Sequence, residues 1–568
     1  MKRGRLKKND EKKKQGDIAS TMKYLPPPNT STPTKSLDRN ISVVLLLMLS
    51  TLITAHAQEL KSFTEKVDFE MPLLKMSLMG DRLATVSFDK IHLLQMAQSG
   101  LKEIQSGSVP KTGKDPKAPS DFKLLDNNRV LICYEDGCFI GDISETPTWI
   151  EYPFPSDLSP AAGVSALYTE TGVLNARVVG SAKSSILRFG EDKRVIERAD
   201  DVNEATDLKT VLAFEHGSHF YFLGSAKRPL QPDIVAELIS PEAPHKSAMR
   251  LTRICNDGGV SETLSRFDLT LACGEDKENL EEYTASTATY DVKNDRIVLL
   301  AQQDDANGVS KEDKICSFQL ADLQRAFDYA LNTCQNTSQD LSSLCKYWKK
   351  RTGHESNMPH CPVFVHFDDS DRLPTTCNID LLSKWRLGNC ALAKSKTPSS
   401  HYAWLEQFQP FVGVVLARLP HVNHRKAVSF ALDDSNAAFV QYDDGSLKRV
   451  LLDEKANTAA VSEQLWNTSQ PRAHRQSIAV ASNRLVYLND TRVQSIPLTC
   501  ASLYLTCEMV ENKSDREPLG CGWCARSDGT GFSISKADNI DGDCVNKLSD
   551  DGAGVFLVSA CPPHIDEV

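Results

Sequence analysis

The chain has 568 residues with 65 Lys or Arg and 75 Asp or Glu, which gives a formal net charge of −10. Residues 1–40 hold 11 Lys or Arg and 4 Asp or Glu, a net charge of +7, so residues 41–568 carry −17. A body this acidic argues against a nucleic acid as the ligand.

The amino terminus has the order of a secretory signal. A polar, basic segment precedes the apolar residues 41–53, which are followed by the small-residue motif Ala55-His56-Ala57. Because this run is shorter than the ~20 residues of a spanning helix, we predict a signal peptide over residues 1–57 rather than a signal anchor. Translation from Met22 would shorten the basic region, and that alternative stays open. No later stretch is apolar enough to cross a membrane, so we predict a secreted chain or an ectodomain at the extracellular face of the plasma membrane.

A secreted chain has consequences for the cysteines and the sequons. All sixteen cysteines are expected to be paired in an oxidising compartment. Four Asn-x-Ser/Thr sequons follow the signal and predict surface glycosylation, at Asn336, Asn467, Asn489 and Asn512.

Residues 58–498 are dominated by short strands and polar turns. Asp136-Gly137 and Asp444-Gly445 stand where hairpin turns are expected, since such turns often need positive φ. About 440 residues of short strands exceed a sandwich and favour an all-β propeller, in which seven blades would take roughly 60 residues each. Apolar residues at helical spacing predict one amphipathic helix over residues 319–334. The charged stretch of residues 302–314 predicts an exposed loop.

Catalytic and metal-binding motifs are missing from the sequence. It contains no Gly-x-Ser-x-Gly elbow, no His-Glu-x-x-His helix, no phosphate loop and no dinucleotide fingerprint. The cluster His354, His360, Cys361 and His366 matches no common zinc spacing. Residues 537–548 resemble a calcium loop but lack the first acid and the terminal glutamate, which favours a solvated turn. We therefore predict a protein that is not an enzyme and that has no catalytic residue, metal or cofactor.

Cys133 and Cys138 form the one pair that local geometry predicts. They bracket four residues, and a tight hairpin would bring their Cα atoms within bridging range.

The order of cysteines farther along resembles the Sema domain shared by semaphorins, plexins and the hepatocyte growth factor receptor. The segment RICNDGG at residues 253–259 is followed by Cys273 and by KICSF at residues 314–318, just before the predicted helix. The resemblance implies a seven-bladed propeller over residues 58–498 that binds protein ligands. Where relatives tend to read Phe-x-Gly-Thr, residues 438–441 read AFVQ, which predicts a conserved blade with a diverged ligand face.

The resemblance also implies disulfide pairs within the propeller. These are Cys273 with Cys316, Cys255 with Cys377, and Cys334 with Cys361. Cys345 and Cys390 remain, and we predict that they pair with each other. A bridge common in the family upstream of Cys133 has no cysteines in this sequence.

The last six cysteines resemble the small plexin-semaphorin-integrin (PSI) module that follows Sema domains, over residues 499–561. A module of about 60 residues buries too little surface to be stable without bridges. The resemblance implies that Cys500 pairs with Cys521, Cys507 with Cys561, and Cys524 with Cys544, one bridge fewer than the family's usual four. Residues 562–568 look like the start of the immunoglobulin-like (IPT) module that comes next in plexins.

The residue after Trp523 separates receptor from ligand. Semaphorins usually have aspartate there, whereas plexins resemble this chain in having cysteine, Cys524. We therefore predict the ligand-binding part of a plexin-like receptor, with a semaphorin as the expected protein ligand. A secreted semaphorin-like ligand and a soluble decoy receptor are the alternatives. Association with itself or with other Sema domains is left open, as is the choice between fragment and natural short form.

Overall fold

The structure, a computed structural model, describes much of the chain between residues 65 and 535. The described residues are 65–97, 100–111, 117–181, 184–200, 206–228, 246–256, 267–274, 283–303, 312–335, 411–421, 425–433, 436–452, 462–467, 477–504, 507–511, 520–525 and 531–535. Several sequence predictions lie outside them: the signal segment with Met22, the His354 cluster, the calcium-like loop, the IPT start, Asn336, Cys345, Cys361, Cys377, Cys390, Asn512, Cys544 and Cys561. The predicted domain boundaries stay predictions.

The strands β1 to β28 group into four-stranded antiparallel blades, and in all but the last blade the strands lie in sequence order from the inside outward. Blade 1 contains β2 (Lys75–Met79), β3 (Arg82–Val86), β4 (Lys90–Ala97) and β5 (Gly100–Ser108). Blade 2 contains β6 (Asp121–Leu124), β7 (Arg129–Cys133), β8 (Gly137–Asp142) and β9 (Trp149–Pro153). Blade 3 contains β10 (Gly163–Tyr168), β11 (Leu174–Val179), β12 (Ser184–Phe189) and β13 (Val195–Asp200).

The remaining blades follow the same plan. Blade 4 contains β14 (Thr206–His216), β15 (His219–Arg228), β16 (Lys246–Cys255) and β17 (Phe267–Cys273). Blade 5 contains β18 (Tyr283–Asp291), β19 (Arg296–Gln303), β20 (Glu312–Gln319) and β21 (Phe411–Pro420). Blade 6 contains β22 (Ala427–Asp433), β23 (Ala437–Tyr442), β24 (Ser446–Leu451) and β25 (Ser462–Asn467). Blade 7 contains β26 (Ile478–Ala481), β27 (Arg484–Asn489), β28 (Arg492–Pro497) and, as its outer strand, β1 (Glu65–Asp68).

The inner strands close into a ring. The first strand of each blade contacts the first strand of the next, and β26 contacts β2. Blades 4 and 5 share an eight-stranded sheet, because their outer strands β17 and β21 pair in parallel. Blade 7 is completed by β1, which pairs with β28 from the other end of the propeller sequence. Ring closure therefore depends on residues that are far apart in the chain.

Polar side chains join neighbouring blades near the centre of the ring. Asp121 in blade 2 accepts a hydrogen bond from the backbone N–H of Ala166 in blade 3 at 2.9 Å. Lys123 donates from Nζ to the carbonyl oxygens of Ala166 and Ala213 at 2.7 Å and 3.0 Å, so one side chain connects blades 2, 3 and 4. These bonds satisfy backbone groups that have no ladder partner on the inner edge of a blade.

The predicted amphipathic helix exists and is named α1 (Leu320–Gln335). Leu320, Leu323 and Phe327 are fully buried in a cluster that contains residues of blades 4 and 5. The helical spacing of these apolar residues thus matches the side that contacts the sheets. Cys334 lies in the last turn of α1.

One local prediction is wrong where the structure describes it. Residues 302, 303 and 312–314 belong to β19 and β20, and Asp313 and Lys314 are buried rather than exposed. The charge of these residues suggested an exposed loop, whereas neighbouring strands and blades bury them. Residues 438–441 lie in β23 with at most 3% of each residue exposed, so the expected blade is present, and the divergence of a ligand face stays a prediction.

The propeller has two distinct faces. Successive strands of a blade run in opposite directions, so the second and fourth strands end on the same side of the ring. The turn after the second strand and the link from the fourth strand to the next blade therefore start on one side. We call this side the link face. The opposite side is called the helix face, because α1 follows the third strand of blade 5 there.

A small carboxyl-terminal segment follows β28 on the helix face. It contains α2 (Cys500–Leu503), α3 (Cys507–Glu511) and a hairpin of β29 (Cys521–Ala525) with β30 (Gly531–Ser535). The hydroxyl of Ser533 lies 2.6 Å from the carbonyl oxygen of Cys500 and 2.5 Å from that of Tyr504, and its single O–H is shared between these acceptors. Leu503 and Tyr504 are 1% exposed and belong to the same apolar cluster as Leu485 of blade 7. The segment is therefore packed onto the propeller.

Candidate protein-binding face

The link face of blade 2 carries a hairpin closed by a disulfide. Cys133 and Cys138 are directly paired across β7 and β8, are bonded to each other, and have Cα atoms 4.0 Å apart. Both are fully buried, while Glu135 and Asp136 at the tip of the turn are partly exposed. The disulfide and the strand ladder together hold this turn in one conformation.

The hairpin is also bonded to the link between blades 2 and 3. The N–H of Phe154 donates to the carbonyl of Asp136 at 2.9 Å, and the N–H of Ala161 donates to the carbonyl of Glu135 at 2.7 Å. Backbone bonds at both ends of the link leave little freedom to the segment between them. Blades 2 and 3 thus present a preorganised surface of two connected loops.

Charged groups of both signs line this surface. Lys117 lies 2.6 Å from Glu135 and 3.8 Å from Asp136. Asp157 in the link accepts two hydrogen bonds from Arg198 of β13, at 2.9 Å and 2.7 Å. Exposed pairs of this kind add little to folding stability, but they orient charges that a protein partner can recognise.

Blade 6 presents a second ordered turn on the link face. Gly445 adopts φ 82° between β23 and β24, as the predicted Asp-Gly turn requires. Asp444 accepts hydrogen bonds from Ser446 and lies 2.7 Å from Arg425. Burial works to raise the pKa of Asp444, but the Ser446 hydrogen bonds and the charge of Arg425 lower it overall. Asp444 is therefore a fixed negative charge at neutral pH.

The helix face holds a chain of titratable groups at blades 4 and 5. The hydroxyl of Tyr290 donates to Asp295 at 2.7 Å and lies 2.7 Å from Nδ1 of His216. Burial, followed by the hydrogen bond to Asp295, raises the pKa of Tyr290. Since a Tyr with a raised pKa stays protonated, the group serves as a donor that positions the turn. Sequence analysis did not identify these residues, because they come from two different turns with no motif spacing.

The predicted cysteine pairs that fall within the described residues are close in space. Cys273 of β17 is bonded to Cys316 of β20 with Cα atoms 6.1 Å apart, which joins blades 4 and 5. Cys500 is bonded to Cys521 in the carboxyl-terminal segment, with Cα atoms 5.5 Å apart. Three further cysteines are also in disulfides: Cys255, Cys507 and Cys524. Within the described ranges no cysteine is free.

Two of the predicted glycosylation sites can be located. Asn467 is the last residue of β25, and Asn489 is the last residue of β27. The described part of the chain contains no group of three or more His, Cys, Asp or Glu placed to hold a metal ion. It also contains no helix that is long and apolar enough to span a membrane.

Comparison with known proteins relates this geometry to a known architecture. The tyrosine-protein kinase receptor svh-2 of Caenorhabditis elegans is 24% identical over 473 residues, which cover 78% of this chain and 41% of that receptor. A chain of Drosophila Plexin A in complex with Semaphorin 1b matches with a TM-score of 0.53 and 15% identity, over 84% of this chain and 94% of that chain. This chain has the Sema propeller fold. No protein-family model matches it.

The fold comparison leaves the choice between receptor and ligand open. Drosophila Semaphorin 1b, extracellular domains 1–2, also matches the Sema propeller with a TM-score of 0.53 and 15% identity, over 84% of this chain and 93% of that chain. A semaphorin and a chain of a plexin–semaphorin complex match this chain equally well, so the fold does not separate a receptor from a ligand. The prediction of an all-β propeller is confirmed. The chain spans less than half of the receptor that it resembles in sequence.

Proposed function

We propose that this chain is the extracellular ligand-binding region of a plexin-like receptor and that it binds a semaphorin through the link face of blades 2 and 3. The observation that carries the proposal is the disulfide-closed turn of Cys133 and Cys138, bonded at Glu135 and Asp136 to the link that precedes blade 3. Rigid loops lose little entropy on binding, which favours affinity.

The position of the carboxyl-terminal segment supports this choice of face. The segment begins after the third strand of blade 7, where Leu498 donates a backbone hydrogen bond to Asn483 on the helix face at 2.8 Å. In a receptor, further domains would continue from that side. The link face would then point away from them and stay accessible to a ligand on another cell.

The relatives support an extracellular recognition role. The related protein in Caenorhabditis elegans is by name a tyrosine-protein kinase receptor, of which this chain covers 41%, and one matching structure is by title a plexin in complex with a semaphorin. Cys524, the cysteine after the tryptophan in which plexins resemble this chain, is in a disulfide. In this proposal residues 499–561 form a PSI module, and the protein is a secreted or cell-surface glycoprotein.

A semaphorin-like ligand is the second candidate, because the same fold occurs in Semaphorin 1b. Binding assays separate the two roles. The secreted chain should bind at least one member of a panel of immobilised semaphorin ectodomains in surface plasmon resonance. Binding to plexin ectodomains and to no semaphorin would instead assign the ligand role.

A single glycan can test the proposed face. Asp157→Asn creates an Asn-Leu-Ser sequon in the exposed link, because Ser159 is two residues farther on. The bulky glycan should weaken semaphorin binding by more than about tenfold. The double variant Asp157→Asn/Ser159→Ala loses the same charge and the Arg198 pair but has no sequon, so the further loss in the glycosylated variant measures the effect of the glycan alone. Unchanged binding by the glycosylated variant would rule out this face.

A further inference from the structure

Two predicted sites of modification lie at strand ends on the link face of adjacent blades, blade 6 and blade 7. Asn489 ends β27 and is followed by the exposed turn residue Asp490. Its amide donates a hydrogen bond to Gln494 at 3.0 Å. The carbonyl oxygens of Asp490 and Thr491 accept from Leu73 and Phe69 at 2.8 Å and 2.7 Å. The sequon thus occupies an ordered turn on the link face.

Asn467 lies at the same face of the preceding blade. It is the Cα partner of Ser446, the residue that follows the turn at Asp444-Gly445. Since this turn joins the second and third strands of blade 6, the end of β25 is on the link face.

Hydrogen bonds through Ser477 join blades 6 and 7 on the link face. Ser477 directly precedes β26 and donates from its hydroxyl to Oε1 of Gln441 at 2.5 Å, near the end of β23 in blade 6. The carbonyl of Ser477 accepts from the N–H of Leu488 at 2.8 Å, next to Asn489. The link-face ends of β23, β26 and β27 are therefore neighbours.

We propose that N-glycans on Asn467 and Asn489 together cover the link face of blades 6 and 7 and so confine a protein ligand to the rest of that face. This inference rests on the proposed function for the identity of the ligand. The pairing of the sites follows from the fold, since 22 positions separate them in sequence and adjacent blades bring them to one side. Bulky, hydrated sugar chains on a surface exclude a close protein interface.

Occupancy is the first test. Glycopeptide mass spectrometry of the secreted full chain should find glycans on both Asn467 and Asn489. A secreted chain that lacks sugar at either residue would overturn the proposal. Enzymatic removal of the glycans in the presence of heavy-oxygen water should convert both residues to labelled aspartate, which gives an independent readout.

Shielding can be measured without a semaphorin. The test position is Lys426, which is exposed and whose carbonyl accepts a hydrogen bond from the N–H of Asp443 in the blade 6 turn at 2.9 Å. The control position is Lys293, which is exposed in a turn of the helix face. A biotin attached through Lys426→Cys should capture streptavidin about tenfold more slowly in the glycosylated chain than in the Asn467→Gln/Asn489→Gln variant. A biotin attached through Lys293→Cys should capture it equally in both. Equal capture at both positions would contradict shielding.

The consequence for ligand binding has its own test. The Asn467→Gln/Asn489→Gln variant should bind the semaphorin panel within about twofold of the unmodified chain. If the variant is not secreted, Ser469→Ala/Thr491→Ala removes the same two glycans and leaves the asparagines in place. A change above about tenfold in either variant would show that the ligand uses blades 6 and 7, and would overturn the confinement. If no semaphorin binds the unmodified chain, the proposed function fails, while occupancy and streptavidin capture still decide the glycan proposal.

Discussion

The carboxylate of Glu65 lies 2.8 Å from the guanidinium group of Arg484, which joins residues from the two ends of the propeller sequence. The same Glu65 oxygen accepts a hydrogen bond from the N–H of Leu101 in blade 1 at 3.1 Å. One side chain on the closing strand therefore connects blade 7 to blade 1. Arg484 also donates from Nε to Ser495 at 2.7 Å, which fixes the guanidinium group.

Loss of the Glu65 carboxylate should weaken ring closure. Glu65→Ala leaves the mostly buried guanidinium of Arg484 without this charge and the N–H of Leu101 without its acceptor, so we expect a loss of about 1–2 kcal/mol in the free energy of unfolding. Urea denaturation followed by tryptophan fluorescence measures it. Lys66→Ala is the control, because its pair with Asp68 is half exposed and should change stability by less than about 0.5 kcal/mol. Equal effects of the two variants would contradict a special role of Glu65.

The central contacts of Lys123 predict a second stability effect. Lys123→Met keeps much of the side-chain volume but removes the donor to the carbonyl oxygens of Ala166 and Ala213. We expect a loss of about 1–3 kcal/mol, since buried acceptors are left without this partner. The exposed Lys102 of β5 provides the matched Lys→Met control. A Lys123→Met protein as stable as the Lys102→Met protein would show that these bonds contribute nothing.

Two of the described disulfides of the propeller should differ in their contribution to stability. Cys133 and Cys138 are 5 positions apart, whereas Cys273 and Cys316 are 43 apart. In the loop-entropy model the shorter loop stabilises by about 2 kcal/mol and the longer one by about 4 kcal/mol. Replacing each pair with alanine and comparing urea midpoints tests the order. A larger loss for the Cys133 pair would show that local packing outweighs loop entropy.

His219 predicts a loss of stability in mild acid. Burial, followed by the charges of Arg253 and His216, lowers the pKa of His219 from 6.5 to about 4. Between these values the unfolded chain binds a proton that the folded chain does not, so stability falls as the pH drops from about 6.5 toward 4. The full effect is up to about 3 kcal/mol. His219→Gln should flatten this part of the pH profile in urea titrations, and a profile of unchanged slope would contradict the prediction.

Peptide mapping under non-reducing conditions tests the carboxyl-terminal module. We expect Cys500 joined to Cys521, as in the structure. We further expect Cys507 joined to Cys561 and Cys524 joined to Cys544, as the PSI resemblance implies. Detection of free thiols at Cys521 or Cys524 would contradict the module assignment.

Much of the architecture was predictable from local patterns. Short strands with Asp-Gly turns indicated an all-β propeller, and helical spacing located α1 to within one residue at each end. The prediction of an exposed loop failed at residues 302, 303 and 312–314. Local polarity reports what a segment prefers in isolation, whereas burial in a propeller depends on the adjacent strands and blade.

The candidate face was only partly predictable from the sequence. Local geometry predicted the hairpin of Cys133 and Cys138 with its Asp136-Gly137 turn. Lys117 and Asp157 lie in separate segments, and no spacing relates them to that turn. The same is true of Asn467 and Asn489, which are ordinary sequons in the sequence.

The sequence by itself determined the strand content, the helix, the short Cys133 to Cys138 bridge and, through the order of its cysteines, the resemblance to Sema domains. These features are local or depend only on order along the chain. The tertiary structure decided which residues share a face, how β1 completes blade 7, and why Glu65 meets Arg484. Those relationships arise when the ring closes, because closure brings segments together that are distant in the sequence. The alternating direction of the strands also puts consecutive turns on opposite faces.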